Sequence, residues 1–113
     1  TTNREDTTAA VVAWGNSGGF RGQGWPPGPI RISNLWDALP FPNNICTGKI
    51  SGVSLFQLFN YSVSVATFQG ADTELGDRLL QVSSGMRLTY NTQLEGGSRL
   101  IDLEIWDGAA KEY

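Results

Sequence analysis

Histidine is absent from this sequence of 113 residues, and cysteine occurs only once, at Cys46. Without histidine the chain has no Ser-His-Asp or Cys-His catalytic arrangement, and no zinc site with histidine ligands. A single cysteine excludes an intrachain disulfide, and with it the disulfide-stapled scaffolds of small secreted domains. We therefore interpret Cys46 as a small buried hydrophobic side chain.

Charge is also scarce, because Asp, Glu, Lys and Arg together make up 17% of the chain and the net charge is −3. The eight basic residues are scattered singly, so the sequence has no basic patch for nucleic acid or for an anionic membrane surface. No apolar run approaches the roughly 20 residues that a membrane-spanning helix needs. Because 40% of the residues are hydrophobic, the sequence predicts one folded domain that neither binds nucleic acid nor inserts into a membrane.

The first eight residues are polar and rich in threonine, and they precede the first apolar segment. We therefore expect residues 1–8 to be a linker-like segment and residues 9–113 to form a single β domain. A chain that starts at Thr1 is either a domain cut from a longer polypeptide or a product of N-terminal processing.

The strongest structural signal is a hairpin over residues 86–106. Both arms alternate apolar and polar residues, which is the period of a strand with one buried face. The predicted buried faces are Met86, Leu88 and Tyr90 in the first arm and Ile101, Leu103 and Ile105 in the second. The opposite face of the second arm carries Leu100 and Trp106 beside two acids. The alternation predicts polar residues at these two positions. Because Leu100 and Trp106 are apolar instead, we expect a loop or a partner to cover that outer face.

Further strands are predicted over residues 9–14, 49–58, 61–68 and 79–82, and one helical turn near Trp36. Residues 15–29, rich in glycine and proline, form a long loop. Short strands at this spacing, without helical repeats between them, are typical of an all-β fold. We expect an antiparallel β-sandwich or jelly-roll-like barrel with long Gly/Pro-rich loops and at most one short helical turn.

Four tryptophans are many for a chain of this length, and aromatic side chains dominate both cores and interfaces. Trp14 lies in a strand pattern, which favours the core. Phe20 and Trp25 lie in the long loop, where packing over the end of the domain and ligand binding are equally good interpretations. As interface or ligand contacts we predict Trp25, Trp36, Leu100 and Trp106.

Acidic residues offer two candidate sites. Asp72, Glu74 and Asp77 form the densest acidic cluster, and a loop of oxygen ligands is what calcium requires, although a solvated loop explains the cluster more simply. Asp102 and Glu104 lie on one strand face about 7 Å apart, near the separation of an acid/base pair in glycoside hydrolysis. Exposure to solvent is again the simpler explanation.

A β domain of this size after the threonine-rich residues 1–8, with the glycine-rich loop 15–29 and dense strands over 49–106, resembles a known family. It resembles the protruding domain of small icosahedral RNA-virus capsid proteins of the nodavirus and tombusvirus type. The resemblance implies a non-enzymatic module on the virion surface, pairing as a homodimer into protrusions and mediating host attachment through a receptor. Some such domains also bind calcium through loop acids, which supports the acidic cluster.

Three functions follow as hypotheses. The first is the dimeric viral surface domain. The second is a carbohydrate-binding β-sandwich module of a larger protein, in which exposed tryptophans stack on a glycan and the protein is extracellular. The third is a hydrolase that uses Asp102 and Glu104. We rank the first highest, because the sequence offers interfaces and no reactive centre, and so predict that the chain is not an enzyme and needs no cofactor apart from calcium.

Overall fold

The computed structural model of the chain describes residues 10–22, 24–69, 73–74 and 78–113. Its helices are α1 (Ile32–Ala38) and α2 (Gly52–Val65), and a 3-10 turn spans Ser17–Gly19. Its strands are β1 (Trp14–Asn16), β2 (Phe68–Gln69), β3 (Thr73–Glu74), β4 (Leu80–Val82), β5 (Met86–Tyr90) and β6 (Leu100–Ile105). The predicted linker, residues 1–8, lies outside the described residues. No helix in the described ranges is both long and apolar enough to cross a membrane.

The strands pair in three antiparallel sheets of two strands each: β1 with β4, β2 with β3, and β5 with β6. The antiparallel pairing was predicted correctly, but the all-β sandwich or jelly-roll-like barrel was wrong. The described part of the chain mixes small sheets with two helices, and α2 supplies much of its core.

The main error lies in residues 49–68, where two strands were predicted and α2 forms instead. The Ser51 side chain caps this helix by accepting a hydrogen bond of 3.1 Å from the Ser54 amide. The buried residues of α2 follow a helical spacing: Leu55, Phe59, Ser62 and Val63. The alternation that suggested a strand put Tyr61 and Val63 on one face, but Tyr61 is 68% exposed and Val63 is fully buried.

The core lies between α2 and the two larger strand pairs. Leu55 and Phe59 of α2 pack with Met86 of β5 and Leu100 of β6. A second cluster joins Val63, Ala66 and Leu79 near the C-terminal end of α2. Trp14 contacts the Phe59 ring edge-on, with ring centres 6.0 Å apart, but it is 40% exposed and so packs at the edge of the core rather than inside it as predicted. Cys46 is exposed, so its interpretation as a buried side chain was wrong.

The predicted hairpin is confirmed as β5 and β6, but the face assignment fails at one end. Leu88 lies opposite Leu103 and Met86 opposite Ile105, as the alternation requires. The register then shifts, because Thr89 pairs with Asp102 whereas Tyr90 pairs with Leu100. The extra residue, Ile101, forms a β-bulge. Before the bulge, the residue that faces the core is the one that strict alternation would place outside. Leu100 is therefore buried at 7% exposure, and Ile101 is 57% exposed.

Candidate functional site

A tight turn at the end of β1 is the first part of the candidate site. This glycine turn (Asn16–Arg21) leaves the strand through the 3-10 turn, and the Ser17 amide donates to the Leu79 carbonyl at 2.9 Å. Asn16 packs against Gly19: a Cβ placed on Gly19 would lie 3.2 Å from the Asn16 Oδ1 atom. Because Gly19 has no side chain, the Asn16 amide group can lie in this position without crowding.

The glycine turn is held against α1 by backbone contacts. The Arg21 amide donates to the Ala38 carbonyl at 2.8 Å. The next residue, Gly22, has a φ of +94°, which glycine adopts at little cost, and its backbone passes close to the Asp37 carbonyl. The strand end and the C-terminal end of α1 are therefore fixed next to each other.

This arrangement brings Arg21 to an aromatic ring that follows α1. The Arg21 guanidinium carbon lies 5.5 Å from the centre of the Phe41 ring, within the range of a cation–π contact. Both side chains are exposed, Phe41 at 47%. This pair offers an aromatic plane and a fixed positive charge, and the exposed Asn16 amide, at the other end of the glycine turn, adds donors and an acceptor.

The predicted contact residues fall in three different places. Trp25 is 45% exposed and lines a shallow groove of about 340 Å³ with Arg31, Asn34 and the proline-rich segment 26–30. Trp36 is 61% exposed on α1. Trp106 is 37% exposed and contacts Tyr113 edge-on, with ring centres 5.1 Å apart. The structure does not bring these three tryptophans together.

Leu100 is the predicted contact residue that the structure moves inside. It belongs to the core cluster with Phe59 and Met86, because the bulge turns it away from the outer face. Its placement on that face was wrong.

The acidic candidates give little support to their predicted roles. Asp72 and Asp77, with the side chain of Glu74, lie outside the described residues. In the described ranges no group of three or more His, Cys, Asp or Glu side chains is placed to hold a metal. Glu104 pairs with Arg87 at 3.4 Å, and Asp102 accepts a hydrogen bond from the Leu103 amide. Neither acid lines the groove beside Trp25.

Sequence reasoning singled out Phe20 and Trp25 in the long loop but not Arg21 and Phe41. The two residues are twenty positions apart, and only the packing of the glycine turn on α1 makes them neighbours. The local signal in the sequence was Asn16, at the end of the first strand, followed by two glycines and Arg21. Such a segment forms a turn that exposes polar groups at the strand end.

Comparison with known proteins gives two matches. A family model described as "5'-nucleotidase, C-terminal domain" matches residues 2–111. An apyrase of Tabanus yao is 33% identical over 98 residues, which is 87% of this chain and 17% of the apyrase. The chain thus spans about a sixth of the length of this curated relative. No solved structure matches the chain.

These matches overturn the predicted identity. The resemblance to a viral capsid protruding domain was wrong, and with it the functions in virion structure and host attachment. The carbohydrate-binding alternative finds no support either. The prediction that the chain is not an enzyme is contradicted as well, since the matches relate it to a nucleotidase domain and to an apyrase.

Proposed function

This chain belongs to the 5'-nucleotidase C-terminal domain family, and we propose that it recognises the nucleotide in a nucleotide-hydrolysing enzyme. The proposal draws on the family match across residues 2–111 and on the apyrase relative. It assigns binding, rather than bond cleavage, to the described residues.

The observation that carries the proposal is the contact between Arg21 and Phe41 beside the glycine turn. An exposed aromatic ring is a platform for a nucleobase, and stacking of one base on an aromatic side chain is worth about 1–3 kcal/mol. Arg21 lies over one face of this ring at 5.5 Å, so a base would stack on the opposite face with the guanidinium close by. A guanidinium binds phosphate oxygens through paired, charge-assisted hydrogen bonds.

Asn16 adds a group suited to a sugar or a base edge. Its side-chain amide has both donors and an acceptor, and it is exposed beside Gly19. A ribose hydroxyl or the hydrogen-bonding edge of a base requires such a mixed partner. The three side chains therefore match the three parts of a nucleotide.

Hydrolysis itself is assigned to another part of the enzyme. The described residues hold no cluster of three potential metal ligands, so we assign no metal-assisted step to them. The alignment covers 17% of the apyrase, which leaves most of that polypeptide for the chemistry.

The proposal is tested by titrating the chain with AMP and following amide and aromatic chemical shifts by NMR. We expect the largest shifts in the glycine turn and at Phe41, and a rise of about tenfold in Kd for Phe41→Leu, equivalent to about 1.4 kcal/mol. Phe56→Leu is the matched control, since Phe56 is similarly exposed, at 41%, but belongs to α2 and not to the candidate site. A folded Phe41→Leu variant that binds AMP as well as the unsubstituted chain would rule the site out.

A further inference from the structure

Helix α1 has its apolar face turned to solvent. Its spacing of i, i+3, i+4 and i+7 is the pattern of a helix with one buried stripe. We define the α1 stripe by the four apolar residues at that spacing: Ile32, Leu35, Trp36 and Leu39. Their exposed fractions are 69%, 43%, 61% and 50%.

The opposite side of α1 carries Asn34 and Ala38, which are polar or small and only half-buried. Asn34 is half-buried, and its side chain accepts a hydrogen bond of 2.7 Å from the Arg31 amide. Ala38 is also half-buried and accepts from Arg21 through its carbonyl. The half-buried residues of α1 are therefore polar or small, and its larger apolar residues, the α1 stripe, are left exposed.

We propose that the α1 stripe packs against another part of the nucleotidase polypeptide that carries this chain. Aligned residues make up 17% of the apyrase, so in a protein of that length most of the polypeptide is available as a partner. A covalently joined partner is present at high effective concentration and binds without the entropy cost of association. The proposal rests on family membership and on the geometry of α1, and it does not depend on nucleotide binding.

The area of the stripe argues against a second copy as the occupant. Its four side chains expose roughly 500 Å², the scale of a large patch on a monomer and below the ~800 Å² per partner of a stable interface. An intramolecular contact needs no such area. The chemistry required of the partner surface is apolar, because the stripe itself contains no charged or hydrogen-bonding side chain apart from the Trp36 indole.

The test uses a nucleotidase polypeptide that carries this chain together with the remaining length of the enzyme. We expect Leu35→Glu to lower its Tm by about 5 °C or more, because the substitution places a charge in an apolar contact. Ser33→Glu is the matched control on the same helix, as Ser33 is exposed and lies outside the stripe. Equal Tm values for the two variants would overturn the proposal.

Hydrogen exchange of the unsubstituted enzyme gives a second measurement that does not depend on a variant folding. We expect the amides of α1 to exchange at least about tenfold more slowly than an exposed helix of this length, at every protein concentration. Fast exchange at all concentrations would show an uncovered stripe and overturn the proposal. Protection that appears only as the protein dimerises would identify a second copy as the occupant, which also overturns it. Loss of AMP binding in Phe41→Leu changes neither result, so this proposal and the proposed function fail separately.

Discussion

The Arg99 guanidinium donates a hydrogen bond of 2.8 Å to the Ala66 carbonyl, which joins the closing hairpin to the C-terminal end of α2. The same side chain also reaches the Val63 and Leu94 carbonyls, at 3.2 and 2.9 Å. Carbonyls at the C-terminal end of a helix have no partner within the helix. A cation placed there donates hydrogen bonds to them and interacts favourably with the negative end of the helix dipole. One arginine thus links two segments that are more than 30 residues apart.

Replacing Arg99 with alanine should therefore cost far more stability than replacing an exposed arginine. We expect Arg99→Ala to lower the free energy of unfolding by about 1–3 kcal/mol, because several carbonyls lose a charged donor. Arg87→Ala is the control, since the contacts of Arg87 are solvent-exposed: an ion pair with Glu104, worth about 0–1 kcal/mol, and a cation–π contact with Tyr113 at 4.0 Å, worth about 0.5–1 kcal/mol. Urea unfolding of both variants measures the difference, and equal losses would contradict the role given to Arg99.

The Ser62 hydroxyl makes a second link, between α2 and β4. It donates to the Arg78 carbonyl and accepts from the Leu80 amide, both at 2.9 Å, and it is 3% exposed. We expect Ser62→Ala to cost about 1–3 kcal/mol, because the half-buried Leu80 amide loses this acceptor. Ser54→Ala, on the exposed start of α2, should change stability by less than about 0.5 kcal/mol. Thermal unfolding of both variants checks this, and a fully stable Ser62→Ala chain would show that β4 does not need the bond.

The bulge in β6 makes opposite predictions for two neighbouring residues. Leu100→Ala should cost about 2–4 kcal/mol, because it leaves a cavity beside Phe59 and Met86. Ile101→Ala should cost less than about 0.5 kcal/mol, because Ile101 is 57% exposed. Strict alternation without a bulge predicts the reverse order, so unfolding measurements on the two variants decide between the registers.

The hairpin was predictable from sequence because its two-residue period is a local pattern. The bulge was not, since Leu100 and Ile101 are both apolar and either fits the core face. In residues 49–68 the sequence held two competing patterns, the strand alternation around Tyr61 and the helical spacing of Leu55, Phe59 and Val63. The helix forms because it places Phe59 and Val63 fully inside the core, a tertiary gain that a local pattern does not reveal.

The candidate site was partly predictable for a similar reason. Sequence composition pointed to the long glycine-rich loop and its aromatic residues as a place for binding. It did not indicate that Arg21 meets Phe41, because that contact depends on the Arg21 amide bonding to the end of α1. Function was predicted wrongly, because composition and strand pattern do not distinguish a nucleotidase-family domain from other small domains.

A substitution at Gly19 tests the role of the glycine turn in binding, because it should weaken AMP binding without changing the stability of the chain. A methyl group there would lie 3.2 Å from the Asn16 Oδ1 atom, tight enough to displace the Asn16 amide by a few tenths of an ångström. We expect Gly19→Ala to raise the Kd for AMP about fivefold, equivalent to about 1 kcal/mol, while the free energy of unfolding changes by less than about 0.5 kcal/mol. Gly48→Ala is the matched control, since a Cβ at Gly48 meets no atom within 4 Å. If Gly19→Ala shifts the Asn16 resonances in NMR spectra but leaves the Kd unchanged, Asn16 does not contact the nucleotide, and recognition rests on Arg21 and Phe41 alone.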